Sequence, residues 1–118
     1  MPFKVVEHAE YRELRFSGAL DARGWESRAG LMSAPPLRDR FLLDFTDATA
    51  ISGIVHAVER SAERVKGRNW RIAILTPRPE FFGLARQTIQ LASMDEGNAV
   101  NVFRTRDAAV EWLLSRQR

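Results

Sequence analysis

Cysteine is absent from this 118-residue chain, which removes disulfide scaffolds, thiolate nucleophiles and zinc–thiolate sites together. Histidine is scarce. His8 and His56 lie far apart and no spaced carboxylates supply a third ligand, so no metal site is expected and His56 reads as a solvated surface residue. Long apolar runs are also missing. No segment approaches the ~18 apolar residues of a membrane span, and the opening MPFKVVEHAEYREL is charged where a signal peptide would be apolar. A cytoplasmic location without a transmembrane segment is expected. Lysine is confined to Lys4 and Lys66, so arginine supplies most of the 18 basic residues behind a net charge of +3. Acids interrupt the basic residues in EHAEYRELR and VERSAERVKGR, which leaves no basic stripe for nucleic acid. Nor is there a nucleophile elbow, a Gly-rich phosphate loop or an HExxH helix, so no catalytic residue and no cofactor is expected.

What is present is an ordinary globular composition, 45% hydrophobic and 28% charged, at the length of one domain spanning residues 1–118. Residues 3–7 and 11–16 alternate with period two and read as a hairpin turning at HAE. SGALDARG supplies turn chemistry, ARGWESRAGLM a weak helix interrupted by Gly24 and Gly30, and SAPPLRDR a break. FLLDF, residues 41–45, is a strand covered on both faces. Helix is expected from about Ser52 to Lys66, with Ile51, Ile54, Val55, Val58, Ala62 and Val65 within an arc of about 100° and Gly67 as its C-terminal cap. WRIAIL (70–75) and AVNVF (99–103) are further buried strands. Pro79 with Glu80 opens the helix EFFGLARQTIQLAS, and Thr105 with Asp107 opens RDAAVEWLLSRQ. Strands alternating with helices imply βαβ units. The expected fold is therefore α/β, one mostly parallel sheet of about five strands with helices packed on its faces, in the order ββαβαβαβα.

That order, with FLLDFTDATAIS, RIAILTPRPEFFGLARQ and the ending VNVFRTRDAAVEWL, resembles the SpoIIAA-like family of bacterial STAS/SEC14-type domains over essentially the whole chain. The resemblance implies a small α/β domain related to anti-sigma-factor antagonists and to lipid-binding SEC14 modules. In the antagonists, a strand ending in Asp leads through a loop to a phosphorylatable Ser before Gly and Leu. Asp44 and Ser52-Gly53-Ile54 look similar here. The loop is about two residues shorter, however, and TAIS replaces an acid and a double serine. Ser52 is thus expected to cap the following helix, with phosphoacceptor and ligand contact as the alternatives. Thr46, Asp47 and Thr49 are expected to bond their own backbone. Asp44, in an apolar strand, needs donors from loop amides or a nearby arginine.

Three functions are weighed. The leading one is a non-catalytic regulatory module that binds a protein partner or a second copy of itself. The alternative is a domain for a small ligand, an anion or a lipid in the crevice at the carboxyl ends of the strands, where Thr46, Asp47, Thr76, Arg78, Arg104 and Thr105 should converge near helix N-termini. An enzyme would have to work through Asp44 or Asp47 with Arg78. The helix after Pro79 has more apolar surface than a single stripe: Phe81, Ala85 and Ala92 point one way, flanked by Phe82 and Ile89 on one side and Leu84 and Leu91 on the other, an arc of about 180°. Its spare flank is covered by Trp112 and Leu113 of the last helix, forms a homodimer interface through Leu84 and Leu91, or roofs an apolar pocket beneath Phe82.

Overall fold

The computed structural model describes residues 3–54, 56–58, 60–61, 69–91 and 100–115. Its strands are β1 (Phe3–Glu7), β2 (Arg12–Leu20), β3 (Arg40–Ile51), β4 (Arg71–Leu75) and β5 (Val100–Phe103), and its helices α1 (Ala22–Ser33), α2 (Pro79–Leu91) and α3 (Arg106–Leu114). Helical backbone also occurs at residues 56–58 and 60–61, so the expected ββαβαβαβα order is the observed one. The five strands form one sheet in chain order, β1-β2-β3-β4-β5. As expected, the N-terminal hairpin is antiparallel and every later pairing is parallel.

Chain-order pairing dictates where the helices go. Parallel strands that always step the same way, joined by right-handed crossovers, lay every connecting helix on one face. That face carries the larger core: Phe41, Leu43 and Phe45 of β3 and Ile72 and Ile74 of β4 meet Trp25 of α1, Ile54, Val58, and Phe81 and Ile89 of α2. The alternate residues Leu42, Ala73 and Leu75 point to the other face and meet only Tyr11, Ala109 and Leu113 among buried residues, with Trp112 and Phe103 at the margin. Among the described helices only α3, which is not a crossover, lies there. Trp112 and Leu113 therefore do not cover the spare flank of the helix after Pro79, because the sheet stands between them.

Two strands outrun their expected ends. The turn expected at residues 17–20 and the hydroxyl-rich loop expected at 46–51 are strand instead, paired with each other as Ser17↔Asp47, Gly18↔Ala48, Ala19↔Ala50 and Leu20↔Ile51. Turn-forming residue types are outweighed here, since threonine also favours strands and each segment supplies the partner the other needs. Gly18, at φ +95°, absorbs the register irregularity that this pairing contains. Helix likewise starts later than Ser52. Ser52, Gly53 (φ +62°) and Ile54 are non-helical, the Ser52 amide donates to the Leu20 carbonyl at 3.0 Å, and the Val58 amide donates to the Ile54 carbonyl at 2.9 Å. Ser52 is thus no N-cap. Of the stripe expected on that helix, Ile54 and Val58 are buried and His56 is exposed, while Val55, Ala62, Val65 and the Gly67 cap lie outside the described residues. α1 runs unbroken through Gly24 and Gly30, its N-terminus capped by Asp21, whose Oδ1 accepts the Gly24 amide at 2.9 Å.

Neither α1 nor α3 has a basic residue in its last turn. Arginines from the sheet supply the missing charge. Arg12, 1% exposed, donates from Nη1 to the Leu31 and Ala34 carbonyls (2.9 and 2.8 Å), from Nη2 to Pro36 (2.9 Å) and from Nε to Glu7 (2.6 Å). Arg71 donates to the Ser115 carbonyl at 2.8 Å and lies 4.2 Å over the Trp112 ring. Each guanidinium meets carbonyls that helix geometry leaves open and sits at the negative end of the macrodipole. Arg12→Leu should cost about 2–3 kcal/mol, because three carbonyls, only partly buried, lose their shared donor. A urea midpoint lowered by less than the equivalent of about 1 kcal/mol would show that water replaces the guanidinium.

Candidate functional site

Asp44 closes the apolar run of β3 on the α3 side of the sheet and is only 6% exposed. Its Oδ1 accepts the Thr46 amide at 2.9 Å and the Thr46 hydroxyl at 2.5 Å, while Oδ2 accepts Arg106 Nη2 at 2.6 Å. The expected donors, a local amide and an arginine, are both present. The consequence is topological. β3 and β4 last pair at Asp44↔Leu75, and the next available amide is donated to the carboxylate, so the rest of β3 continues with β2 alone.

Glu13 is the second carboxylate of this cluster. It lies on β2, fully buried, and accepts from Arg106 (Nη1 3.2 Å, Nη2 2.6 Å), from Arg15 Nε at 2.7 Å and from His8 Nε2 at 2.8 Å. His8 in turn stacks on Tyr11 with ring centroids 4.3 Å apart. Burial alone would raise the Glu13 carboxyl, but the hydrogen bonds from Arg106, Arg15 and His8 outweigh it and hold the group down to about 2. The same bond to Glu13 raises Arg106. Sequence reasoning missed Glu13, Arg15 and Arg106, since Glu13 and Arg15 alternate with apolar residues as a solvent-facing strand edge would. The one available signal was the demand that buried Asp44 makes for an arginine.

Beside this cluster, where β3 departs from β4, a crevice of about 420 Å³ opens at the carboxyl ends of the strands. Of the residues expected to converge there, Thr46, Asp47 and Arg104 line it, joined by Asp44, Arg15, Arg106 and an apolar wall of Leu75 and Pro77. The other expected members go elsewhere. Thr105 caps α3, its Oγ1 accepting the Ala108 amide at 3.3 Å. Arg78 pairs with Glu80 at 2.9 Å, lies 4.6 Å from the Phe81 ring and reaches the Ala48 carbonyl at 3.5 Å. Thr76 points to the opposite face, where it is 2% exposed and its Oγ1 has no hydrogen-bond partner. Ser52 is exposed in the turn after β3.

Thr76 belongs to an apolar cavity of about 50 Å³ between the sheet and α2, lined also by Phe81, Leu84, Ala85 and Ile89. Phe82 is not in this lining. It packs half-buried against the core, with the Arg86 guanidinium 6.0 Å from its ring. Thus it is Leu84, rather than Phe82, that meets the cavity. The side chain of Leu91 and all of Ala92 lie outside the described residues. Among the described residues no group of three His, Cys, Asp or Glu side chains could hold a metal, and no helix is long and apolar enough to cross a membrane.

Two outcomes follow from these environments. A depressed carboxyl stabilises the fold above its unfolded value near 4.5, and that contribution is lost as pH falls from there toward about 2. Glu13→Gln should therefore flatten the loss of stability across this window, as followed by urea midpoints at stepped pH; an unchanged slope would place the acid sensitivity in other carboxylates. Thr76→Val should stabilise the protein by about 1 kcal/mol in calorimetry, since it removes a buried hydroxyl without a partner. Destabilisation would mean that the hydroxyl is hydrogen-bonded after all.

Neither a protein-family model nor a curated protein matches the chain in sequence. Solved structures do match it in shape. An uncharacterised protein of the DUF3478 family with a SpoIIAA-like fold, from Shewanella loihica PV-4, superposes with TM-score 0.59 at 16% identity, over 94% of this chain and 91% of its own. A sulfate transporter family protein from Wolinella succinogenes gives 0.67 at 13% identity, over 92% and 88%. The anti-sigma factor antagonist SpoIIAA in its unphosphorylated form gives 0.63 at 18% identity, over 97% and 99%. With the five-stranded sheet and its helices, these likenesses establish that the chain has the SpoIIAA-like fold that its sequence motifs resemble.

Proposed function

We propose that this chain is a non-catalytic regulatory module of the STAS type that acts by binding a protein. The observation that carries this reading is the two-stranded ribbon formed where β2 and β3 continue past the end of β4. Beyond Asp44 its outer edge has no strand beside it among the described residues, although the Thr46 amide and the Ala48 carbonyl are held by Asp44 and Arg78; Thr46, Asp47, Thr49 and Ala50 are exposed, and the ribbon ends in the exposed turn Ser52-Gly53. An unpaired strand edge offers backbone donors and acceptors to an incoming chain, and the adjoining side chains supply selectivity. One structurally similar protein is, by its name, an antagonist of an anti-sigma factor, and its structure is described as the unphosphorylated form. Ser52 next to this edge keeps phosphorylation available as the switch, because a phosphate there would add about two negative charges beside the docking strand.

A second reading, binding of a small ligand, is favoured by the crevice. Its volume of about 420 Å³ lies within the range of small-molecule sites, about 300–1,000 Å³. Lipid in the apolar cavity is the weaker form of this reading. At about 50 Å³ the cavity is a third of the roughly 150 Å³ that admits a benzene molecule, so an acyl chain would have to lift α2.

A photo-crosslinking residue placed at Thr49, in protein expressed in its native cell, should yield a discrete covalent adduct. The same residue at Ser27, exposed on α1, should yield none. Absence of any adduct from Thr49, or the same adducts from both positions, would remove the ribbon as the docking edge.

A further inference from the structure

The charges around the crevice do not add up to a simple anion site. Arg106 is spent on Glu13 and Asp44, and Arg15 places its Nε on Glu13. Thr46 is committed to Asp44 through both its amide and its hydroxyl. Two exposed side chains are left over. Among the described residues Arg104 makes only a 3.5 Å contact with the Pro77 carbonyl, and the Asp47 carboxylate has no hydrogen bond or ion pair. They line the same crevice without joining each other, so their gap is wider than an ion-pair contact.

Opposite charges held apart on one crevice that also has an apolar lining define the complement of a particular ligand. A lone anion drawn to Arg104 meets Asp47, and a lone cation drawn to Asp47 meets Arg104. A molecule with one cationic and one anionic end satisfies both, and its carbon chain lies against Leu75 and Pro77. We propose that the crevice binds a small zwitterion of the amino-acid type, with its carboxylate at Arg104 and its ammonium at Asp47. This rests on the small-ligand reading given above and specifies its ligand. Arg15 and Arg106 then act as fixed neighbours, whose net charge Glu13 and Asp44 already cancel.

The test is a titration of the full-length, ¹⁵N-labelled protein, following the amides of Thr46, Asp47, Arg104 and Arg106. The probes are glycine, 4-aminobutyrate and 6-aminohexanoate, with inorganic phosphate and butylamine as single-charge controls. At least one of the three zwitterions should saturate the crevice amides about tenfold more tightly than either control, as one charge-assisted hydrogen bond is sufficient to give. The best of the three reports the span between the two charges. Asp47→Asn and Arg104→Gln, both at exposed positions, should each weaken that probe by about tenfold, while the urea midpoint stays in place. Phosphate that binds at least as well as every zwitterion, and tighter still to Asp47→Asn, overturns the zwitterion and leaves an anion site, so the small-ligand reading survives. No saturable shift with any of the five probes overturns both.

Discussion

Arg106 joins the first turn of α3 to two buried carboxylates on adjacent strands, and the rest of the α3 face is arranged around that contact. Chain-order parallel pairing sends every crossover helix to the other face, so a nine-residue helix has to cover this one. It covers Leu42, Ala73 and Leu75 and stops short of β2. At β2 the apolar seal is replaced by an ionic one, Glu13 and Asp44 gripping a guanidinium that is still 40% exposed. Removing one partner of such a cluster typically costs about 3–5 kcal/mol, because the remaining charge stays buried and uncompensated. The exposure of Arg106 puts this cluster toward the lower end of that range, since water can reach one side of it.

The carboxylate that anchors α3 also shapes the edge of the sheet. Asp44 turns the Thr46 amide back on itself, β3 separates from β4, and the crevice and the free ribbon arise from the same departure. The two proposed surfaces are therefore mechanically joined. A ligand in the crevice touches Thr46 and Asp47, which belong to the strand whose outer edge a protein partner would pair with. Any bias that filling the crevice places on that edge is returned to the crevice, by the same free energy, when a partner docks on the edge.

The fold was legible in the sequence because its signals are local and repeated. Period two in residues 3–7 and 11–16, the apolar runs of β3, β4 and β5, Pro79 and Thr105 each marked an element that the structure contains. The misreadings share a different cause. Residues 17–20 and 46–51 look like turns when considered singly and become strands only because they pair with each other. Ser52 looked like a cap because the helix start was placed by residue type, whereas the Ser52 amide is held by Leu20 of a neighbouring strand. Half of the candidate site was legible for a similar reason. Asp44, Thr46, Asp47 and Arg104 follow strand ends and had to lie near one another, but Thr76 could go to either face, and pleat parity sends it to the cavity. Glu13 was hidden because a buried acid and an exposed acid look alike in an alternating strand until the arginine, 93 positions away, is placed on it.

The same parity explains why the crevice is poor in free charge although arginine is abundant. Among the described residues most arginines are tied down by structure, Arg38 on the His8 and Ala9 carbonyls and Arg28 over Trp25 among them. Arg12 and Arg71 end helices, Arg15 and Arg106 balance Glu13 and Asp44, Arg78 is shared between Glu80 and the Phe81 ring, and Arg60 pairs with Glu26 at 3.0 Å. Of the charged residues at the crevice, Arg104 and Asp47 are the two that the fold does not use. Arg104 follows β5, and Asp47, still paired with Ser17 of β2, lies just past the point where β3 leaves β4. Side chains that a structure spends on holding itself together are poor ligand contacts, because a ligand must break one interaction to make another. Unspent charges of opposite sign on one open crevice carry no such penalty, and it is they, rather than the larger arginine population, that set what the crevice can select.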